Sequence, residues 1–370
     1  MTALFNKTST LSGVYVFFMV NRMQGLYLVL LMPAYLVHPH MIWGIIIMGI
    51  LSHFNLWMLS KSFSSGVLSK GYEGFVQLFG TGMVRIFAIV GLFMIFIKIS
   101  VFSVGYVEIA NQFIFPSINS NWMVLFLFIV VYYLASQGLE KAILFSVIAF
   151  FCTIWLMFTL HPFLLPPIAS VHDLYPIIPV EWSSDSWKAL LLIWSSFSGP
   201  EYLIILSPWL NPDQNKLKYW TFANALAILE YLLLFISSVL FFSSDYLEKI
   251  KYPVVNMVRY LQWPIFERID ILLISFYMFP FVFIISLYLL YFYGATRIIR
   301  GRGNKQTSKS GFAIVCLTIL IGVILINSFF WSPEEENVWL KLHIWLGAIT
   351  YFVVPSLLLL AIKWKGRVKG

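Results

Sequence analysis

Ten apolar runs, parted by short polar segments, constrain this chain more than any other feature. They cover approximately 10–37, 41–60, 83–112, 122–137, 139–160, 187–210, 219–243, 268–297, 311–330 and 339–363 of the 370 residues. About 20 apolar residues in a helix cross a bilayer. Inside hydrocarbon every backbone N–H and C=O must find a partner, which leaves helices and closed barrels as the only spanning structures. The runs predict an all-α integral membrane protein of about ten transmembrane helices, in a single domain over residues 1–370. The charged fraction agrees: it is 11%, against about 25% in soluble domains. Between the fourth and fifth runs only Gln137, Gly138 and Glu140 mark a tight turn.

The net charge of +8 invites a nucleic-acid reading, and its placement argues against one. Lys7, Lys61, Lys70, Lys141, Lys216, Lys218, the Arg297–Lys309 loop and the tail from Lys363 to Lys369 fall on one side of a ten-span chain. The opposite segments 38–40, 114–121 and 162–186 contain no Lys or Arg, and 331–338 carries Glu334-Glu335-Glu336. Segment 244–267 is mixed, with Lys249, Lys251 and Arg259. Positive charge gathers on the cytoplasmic side, so both termini are expected there and the span count is even. The first run lacks a small-residue cleavage site and reads as a retained helix. Residues 61–81 fit either an interfacial amphipathic helix or a loop packed under the bundle. Segments 161–186 and 244–267 are proline-rich enough for fixed caps over it.

Two runs are interrupted. The sixth holds Ser195-Ser196-Phe197-Ser198-Gly199-Pro200-Glu201, and the first holds Asn21-Arg22-Met23-Gln24-Gly25. Proline has no amide hydrogen and glycine weakens a helix. Broken helices at corresponding places in two halves point to the binding site of transporter-type folds. Five spans per half give the halves opposite topology, so the expected architecture is a 5+5 inverted repeat over about 10–160 and 187–363, with helices 1 and 6 broken. Freed amides suit a carboxylate, and freed carbonyls suit an ammonium or a metal ion. A zwitterionic amino acid or another small polar molecule fits such a pair. The bland alternative is two kinked helices with serines that bond across the bundle.

The candidate ligand-binding residues are Asn21, Arg22, Gln24, Gly25, Lys98, Tyr106, Ser195, Ser196, Phe197, Ser198, Gly199 and Glu201. A mid-membrane charge normally has a partner; for Arg22 the first choice is Glu201 and the second Glu108. Glu201 can equally stabilise the N-terminus of the second half-helix. Lys98 is either a ligand or coupling charge, or a side chain that snorkels or pairs with a helix C-terminus. Glu108, Glu230 and Asp270 are candidates for charge coupling. Glu267-Arg268-Ile269-Asp270, at the start of span eight, also reads as interfacial. Trp194, Tyr202 and Tyr277 could line a pocket. No nucleotide-binding, zinc-protease or serine-hydrolase motif occurs, and Cys152 and Cys316 lie apart within apolar runs. The chain therefore reads as a non-enzyme without cofactor or metal.

Several local patterns carry a resemblance. They are Leu31-Met32-Pro33 ending the first span, Gln137-Gly138-Leu139-Glu140-Lys141 opening the fifth, Tyr252-Pro253, and Ile265-Phe266-Glu267-Arg268-Ile269-Asp270 before the eighth. With the size and span count, the chain resembles the B subunits of bacterial spore germinant receptors, of the amino acid–polyamine–organocation superfamily. The resemblance implies a broken-helix transporter fold that recognises a nutrient germinant of amino acid or sugar type. It implies receptor A and C subunits as partners, in the spore inner membrane. A secondary transporter of amino acids or related solutes is the alternative. Related proteins have a small, glycine-rich first break; the bulky Asn21–Gln24 stretch departs from that. Either the germinant differs or the protein's own side chains fill the pocket.

Overall fold

The computed structural model describes residues 4–8, 10–24, 26–178, 184–210, 217–261, 268–303, 305–331 and 337–368. Gly25, Pro179, Lys216, Pro264, Glu267 and Glu334–Glu336 lie outside the described residues.

Each apolar run becomes helix. In chain order these are α1 (Val14–Met23), α2 (Leu26–Leu36), α3 (Met41–Ser64), a short α4 (Tyr72–Phe79), α5 (Thr81–Phe113), α6 (Ser120–Ser136) and α7 (Leu139–Ile154). There follow α8 (Ser184–Ser196), α9 (Leu217–Phe242), the short α10 (Ser244–Leu247) and α11 (Pro253–Arg259), α12 (Ile269–Ile299), α13 (Lys309–Leu325) and α14 (Val338–Val368). Among the described residues eight segments are long and apolar enough to cross a membrane, and α1 with α2, inclined at 49°, make a ninth. The tenth run is α6, apolar and 17 residues long. At about 1.5 Å per residue it reaches about 26 Å, slightly short of the roughly 30 Å hydrocarbon core. The protein is a multi-pass membrane protein.

Two spans finish in tighter 3₁₀ winding, Trp155–Leu164 after α7 and Pro200–Trp209 after α8, each with a proline inside. Proline removes a backbone donor and crowds the preceding turn.

The centre of the bundle is α12. Its residues from Pro280 to Tyr291 are buried without interruption, which is how a helix apolar on every side behaves. It packs on α5, α7 and α6, while α1 lies between α7 and α9, and α14 between α3 and α8. Within segment 61–81, residues 61–64 finish α3 and α4 forms after a short turn; Leu68 and Leu78 pack with Leu358 of α14, flanked by Phe75 and Ile204, as a segment packed under the bundle does. Ahead of α1 the chain is pinned to the bundle end. Leu139 donates to the Leu4 carbonyl at 2.9 Å, and Leu11 to that of Trp209 at 2.9 Å. After α9, Val254, Val255, Met257 and Val258 of α11 are buried, as a capping segment requires. Cys152 and Cys316 are free thiols.

Candidate functional site

The two breaks touch. Gly199 has φ +134°, and a Cβ there would meet the Met23 carbonyl oxygen at 2.7 Å. Only glycine combines that backbone with that approach. The end of α1 thus abuts the break after α8.

Arg22 is buried, and its carboxylate partner is Glu230 of α9. Arg22 Nη1 donates to Thr153 Oγ1 at 2.6 Å and Nε to Asn21 Oδ1 at 2.9 Å. The guanidinium carbon stands 5.3 Å from the centre of the Phe150 ring. The expected pairing with Glu201 is not made. The reason is geometric: α1 packs against α7 and α9, so its arginine meets their side chains. Glu201 turns back on its own break instead. A cavity of about 40 Å³ opens beside the pair. Asn21, Arg22, Gln24, Thr153, Glu230 and Tyr277 line it, together with apolar side chains such as Leu156, Leu160 and Leu234. One water needs about 10–15 Å³ by this measure, so the space suits a few waters or a small polar group.

The second break is a separate polar centre. Glu201 Oε2 accepts from the Gly199 amide at 2.5 Å, and Oε1 from Thr350 Oγ1 at 3.2 Å. This is the stabilising role of an acid at a helix N-terminus. Lys98, 3% exposed, donates to Ser198 Oγ at 3.1 Å and lies 5.4 Å from the Tyr202 ring centre. It is an interior charge hydrogen-bonded to a side chain two residues past the end of α8, so it does not snorkel, and the reading as a charge at a helix C-terminus stands beside the ligand reading. Tyr231 donates to the Ser196 carbonyl at 2.9 Å and packs its ring 4.9 Å from Phe197. Ser195 and Ser198 face α14, where a Cβ on Gly347 would come within 2.5 and 2.9 Å of their hydroxyl oxygens. Tyr106 stands aside, donating to the Ile274 carbonyl at 3.3 Å.

The remaining acids are elsewhere. Glu108 pairs with Lys251 at 2.5 Å and accepts from Trp331 Nε1 at 3.0 Å. It ties α5 to the segment ahead of α11, where the Tyr252 hydroxyl meets that of Tyr27 at 3.2 Å. Burial, with Tyr27 and Glu108 alongside, pushes the Tyr252 phenol well above its ordinary value. Asp270 is fully buried and held by Arg268 at 2.6 and 3.2 Å. Arg268 also donates to the Phe113 carbonyl at 2.8 Å, which anchors the start of α12 to the end of α5.

Sequence reasoning missed Thr153, Thr350 and a chain of polar side chains around Asn224. Asn224 Oδ1 accepts from Gln24 Nε2 at 3.2 Å and from Ser52 Oγ at 2.7 Å. Its amide donates to the Gly49 carbonyl at 2.9 Å. Ser52 in turn meets the Tyr351 hydroxyl at 2.6 Å. The available signal was an asparagine inside an apolar run, since such residues bond across membrane helices. Among the described residues no group of three or more His, Cys, Asp and Glu gathers to hold a metal ion.

The profile of a family described as spore germination protein matches residues 10–335. The chain belongs to the spore germination protein family. The spore germination protein GerQB of Bacillus cereus is 26% identical over 253 residues, which are 67% of this chain and 65% of that protein. The match thus spans just under two thirds of the relative's length. Among solved structures, the Eremococcus coleocola manganese transporter bound to an aromatic bis-isothiourea compound gives a TM-score of 0.60 at 13% identity. That superposition covers 96% of this chain and 80% of the transporter. A mutant of the same transporter gives 0.58 at 14% identity, over 94% and 76%. At such identity the likeness shows the fold alone, the transporter-type bundle expected from the broken spans. Family and fold are those of membrane permease-type proteins.

Proposed function

We propose that this spore germination protein is the nutrient-recognition subunit of a germinant receptor, and that its ligand binds in the cavity beside Arg22 and Glu230. The observation that carries the reading is a buried ion pair that lines a cavity together with apolar side chains. A small zwitterionic amino acid, of the size of glycine or alanine, can divide that pair, with its carboxylate on Arg22 and its ammonium on Glu230. One buried ion pair becomes two, so the ligand's desolvation is offset where a singly charged molecule's is not. The first break is filled by the protein's own side chains, and the ligand competes with them. Binding shifts the bundle only as far as its affinity differs between conformations. Receptor A and C subunits then pass on the signal, in the spore inner membrane, with both termini on the core side.

The test is a binding screen of amino acids and sugars against the purified protein. Saturable binding of one nutrient should be lost in Arg22→Gln and in Glu230→Gln and kept in Tyr106→Phe, which lies off the cavity. Unchanged binding in both charge variants would refute the reading. The fold favours a second reading, secondary transport of the same solute by alternating access. It predicts uptake into proteoliposomes under a proton or sodium gradient, and no uptake would rule against it.

A further inference from the structure

The end of the bundle where α12 gives way to α13 is strongly cationic. Residues 297–311 carry Arg297, Arg300, Arg302, Lys305 and Lys309 and no acid. The loop is held in place. Arg302 donates its amide to the Arg297 carbonyl at 2.8 Å, and Arg297 Nη2 donates to the Arg302 carbonyl at 3.0 Å. Two glycines let it fit between its neighbours. A Cβ on Gly301 would stand 3.3 Å from Arg85 Nη2 of α5, and one on Gly303 would stand 3.4 Å from the Tyr72 ring of α4. Arg85 thereby joins the cations of the loop, while α4 brings one acid, Glu73. Arg85, Arg300, Arg302, Lys305 and Lys309 are exposed, and the ion pairs among the described residues all lie elsewhere.

An apolar stripe runs into the membrane from this patch. The helix α5 crosses the membrane and has 33 residues, about 50 Å at 1.5 Å per residue, against a hydrocarbon core of about 30 Å. Centred in the bilayer, it keeps about 20 residues in hydrocarbon. Arg85, in the second turn of α5, then stands at headgroup depth. Ile89 and Phe93 follow at four-residue steps, which keeps them on the same face of the helix and places them among acyl chains. They are 56% and 57% exposed.

We propose that this patch is a docking site for an anionic phospholipid, with its phosphate among Arg85, Arg300 and Arg302 and one acyl chain along Ile89 and Phe93. Two features select that ligand. Cations without an acidic partner near a membrane surface attract anionic headgroups, and guanidinium groups match phosphate oxygens with a fixed fork of donors. The stripe below Arg85 then fits a phosphate that carries a chain. Free phosphate, or an acidic protein segment, would use the cations and leave the stripe idle.

The experiment titrates dioleoyl-phosphatidylglycerol, and in parallel dioleoyl-phosphatidylcholine, onto the purified full chain in a neutral detergent and counts bound lipid by native mass spectrometry. The first phosphatidylglycerol should bind several-fold tighter than phosphatidylcholine. A cation near the surface is worth about fivefold in affinity, so Arg85→Gln with Arg300→Gln should weaken that binding about 25-fold. Lys61→Gln with Lys218→Gln removes the same charge at the end of α3 and the start of α9, and should change it less than about twofold. Ile89→Ala with Phe93→Ala keeps every charge and should weaken it several-fold. All six positions are exposed, so these variants leave the core intact. Equal affinity for the two lipids, or equal losses in the two charge variants, would overturn the site. Displacement of the lipid by millimolar glycerol phosphate, with no effect of the alanine pair, would make it a plain anion site and overturn the lipid. Stronger displacement by decaglutamate would assign the patch to an acidic protein partner and overturn it as well. None of these readouts depends on the identity of the nutrient.

Discussion

Replacing Arg22 by methionine isolates the ion pair. The unbranched stem still packs on Phe150, but the guanidinium and its bonds are gone. Glu230 and Arg22 side chains are only 13% and 8% exposed, so the lost partner leaves a carboxylate stranded in the bundle. Breaking a buried pair from one side costs about 3–5 kcal/mol. Thr153 adds little, because its hydroxyl keeps the Ala149 carbonyl at 2.8 Å. Asn21 Oδ1 loses the arginine donors, within the roughly 1–3 kcal/mol assigned to an unsatisfied buried acceptor. The expected single-variant loss is therefore about 3–5 kcal/mol, most of it from Glu230. Removing both charges, Arg22→Met with Glu230→Met, should recover all but about 1–2 kcal/mol, since a buried pair often gives way to apolar residues at little cost. The assay is a double-mutant cycle on the purified protein, by equilibrium unfolding in a graded denaturing detergent. A parallel cycle of Arg22→Met with Glu201→Gln should be additive within about 0.5 kcal/mol. A coupling below about 1 kcal/mol for Arg22 with Glu230, or a large one with Glu201, would refute the reasoning.

Three further outcomes follow from the same contacts. Gly199→Ala places a methyl 2.7 Å from the Met23 carbonyl at φ +134°; with strain of about 1–3 kcal/mol for the backbone alone, it should lower the melting temperature more than Gly82→Ala, whose Cβ meets nothing within 4 Å. Glu108→Gln removes the charge that pairs with Lys251 and weakens the tie to Trp331, so a cysteine placed at Val254 should react with a maleimide several-fold faster than in the parent; an equal rate would mean that Glu108 does not hold α11 closed. His40, in the turn before α3, is held below 6.5 by burial and then by His38. The unfolded chain therefore binds the proton more readily, and this contribution is complete above 6.5 and is lost as pH falls through the window beneath it. His40→Gln should flatten the drop in melting temperature between about pH 7.5 and 5.5, and an identical slope would dismiss the effect.

The spans and both breaks were legible because lipid enforces them. Run length sets the helices, and a glycine-proline pair in a run has few places to go. Charge partners were not legible. Arg22, Glu201 and Glu230 all fall near the middle of their runs, so depth does not choose between the acids. What decides is which face of α1 meets α9, and apolar runs without amphipathic contrast conceal their faces. Glu201 was doubly ambiguous, since an acid two residues after Gly199 can either reach across the bundle or fold onto that amide. The local bond won. Glu108 lies toward one end of α5, and its partner Lys251 belonged to the loop whose mixed charge stood out against the other loops of its side. Thr153, Thr350 and Asn224 were hidden because a single hydroxyl or amide in an apolar run is also a common packing residue.

The arrangement bears on how a ligand could act here. In a broken-helix site the exposed half-helix ends attract a ligand's charges. In this chain the ends are already engaged: Glu201 takes the Gly199 amide, Tyr231 takes the Ser196 carbonyl, and Lys98 takes Ser198. At the first break Arg22 is held by Asn21, Thr153 and Glu230. A ligand arriving at either break must first part existing bonds, so its net binding energy is modest while its demand for rearrangement is large. Exchange at the first break frees Glu230 from Arg22, and Gln24, two residues on from Arg22, is bonded to Asn224. The same chain of bonds runs through Ser52 to Tyr351, whose ring packs on Trp194 beside the second break. A protein built this way favours a conformational response over tight capture, which is what a recognition subunit needs and what a storage site does not. If so, Asn224→Leu, which cuts that chain without touching Arg22 or Glu230, should leave nutrient binding within a few-fold and abolish its effect on hydrogen exchange across Ser195–Gly199. A variant that binds and still transmits would separate the two breaks and end the argument.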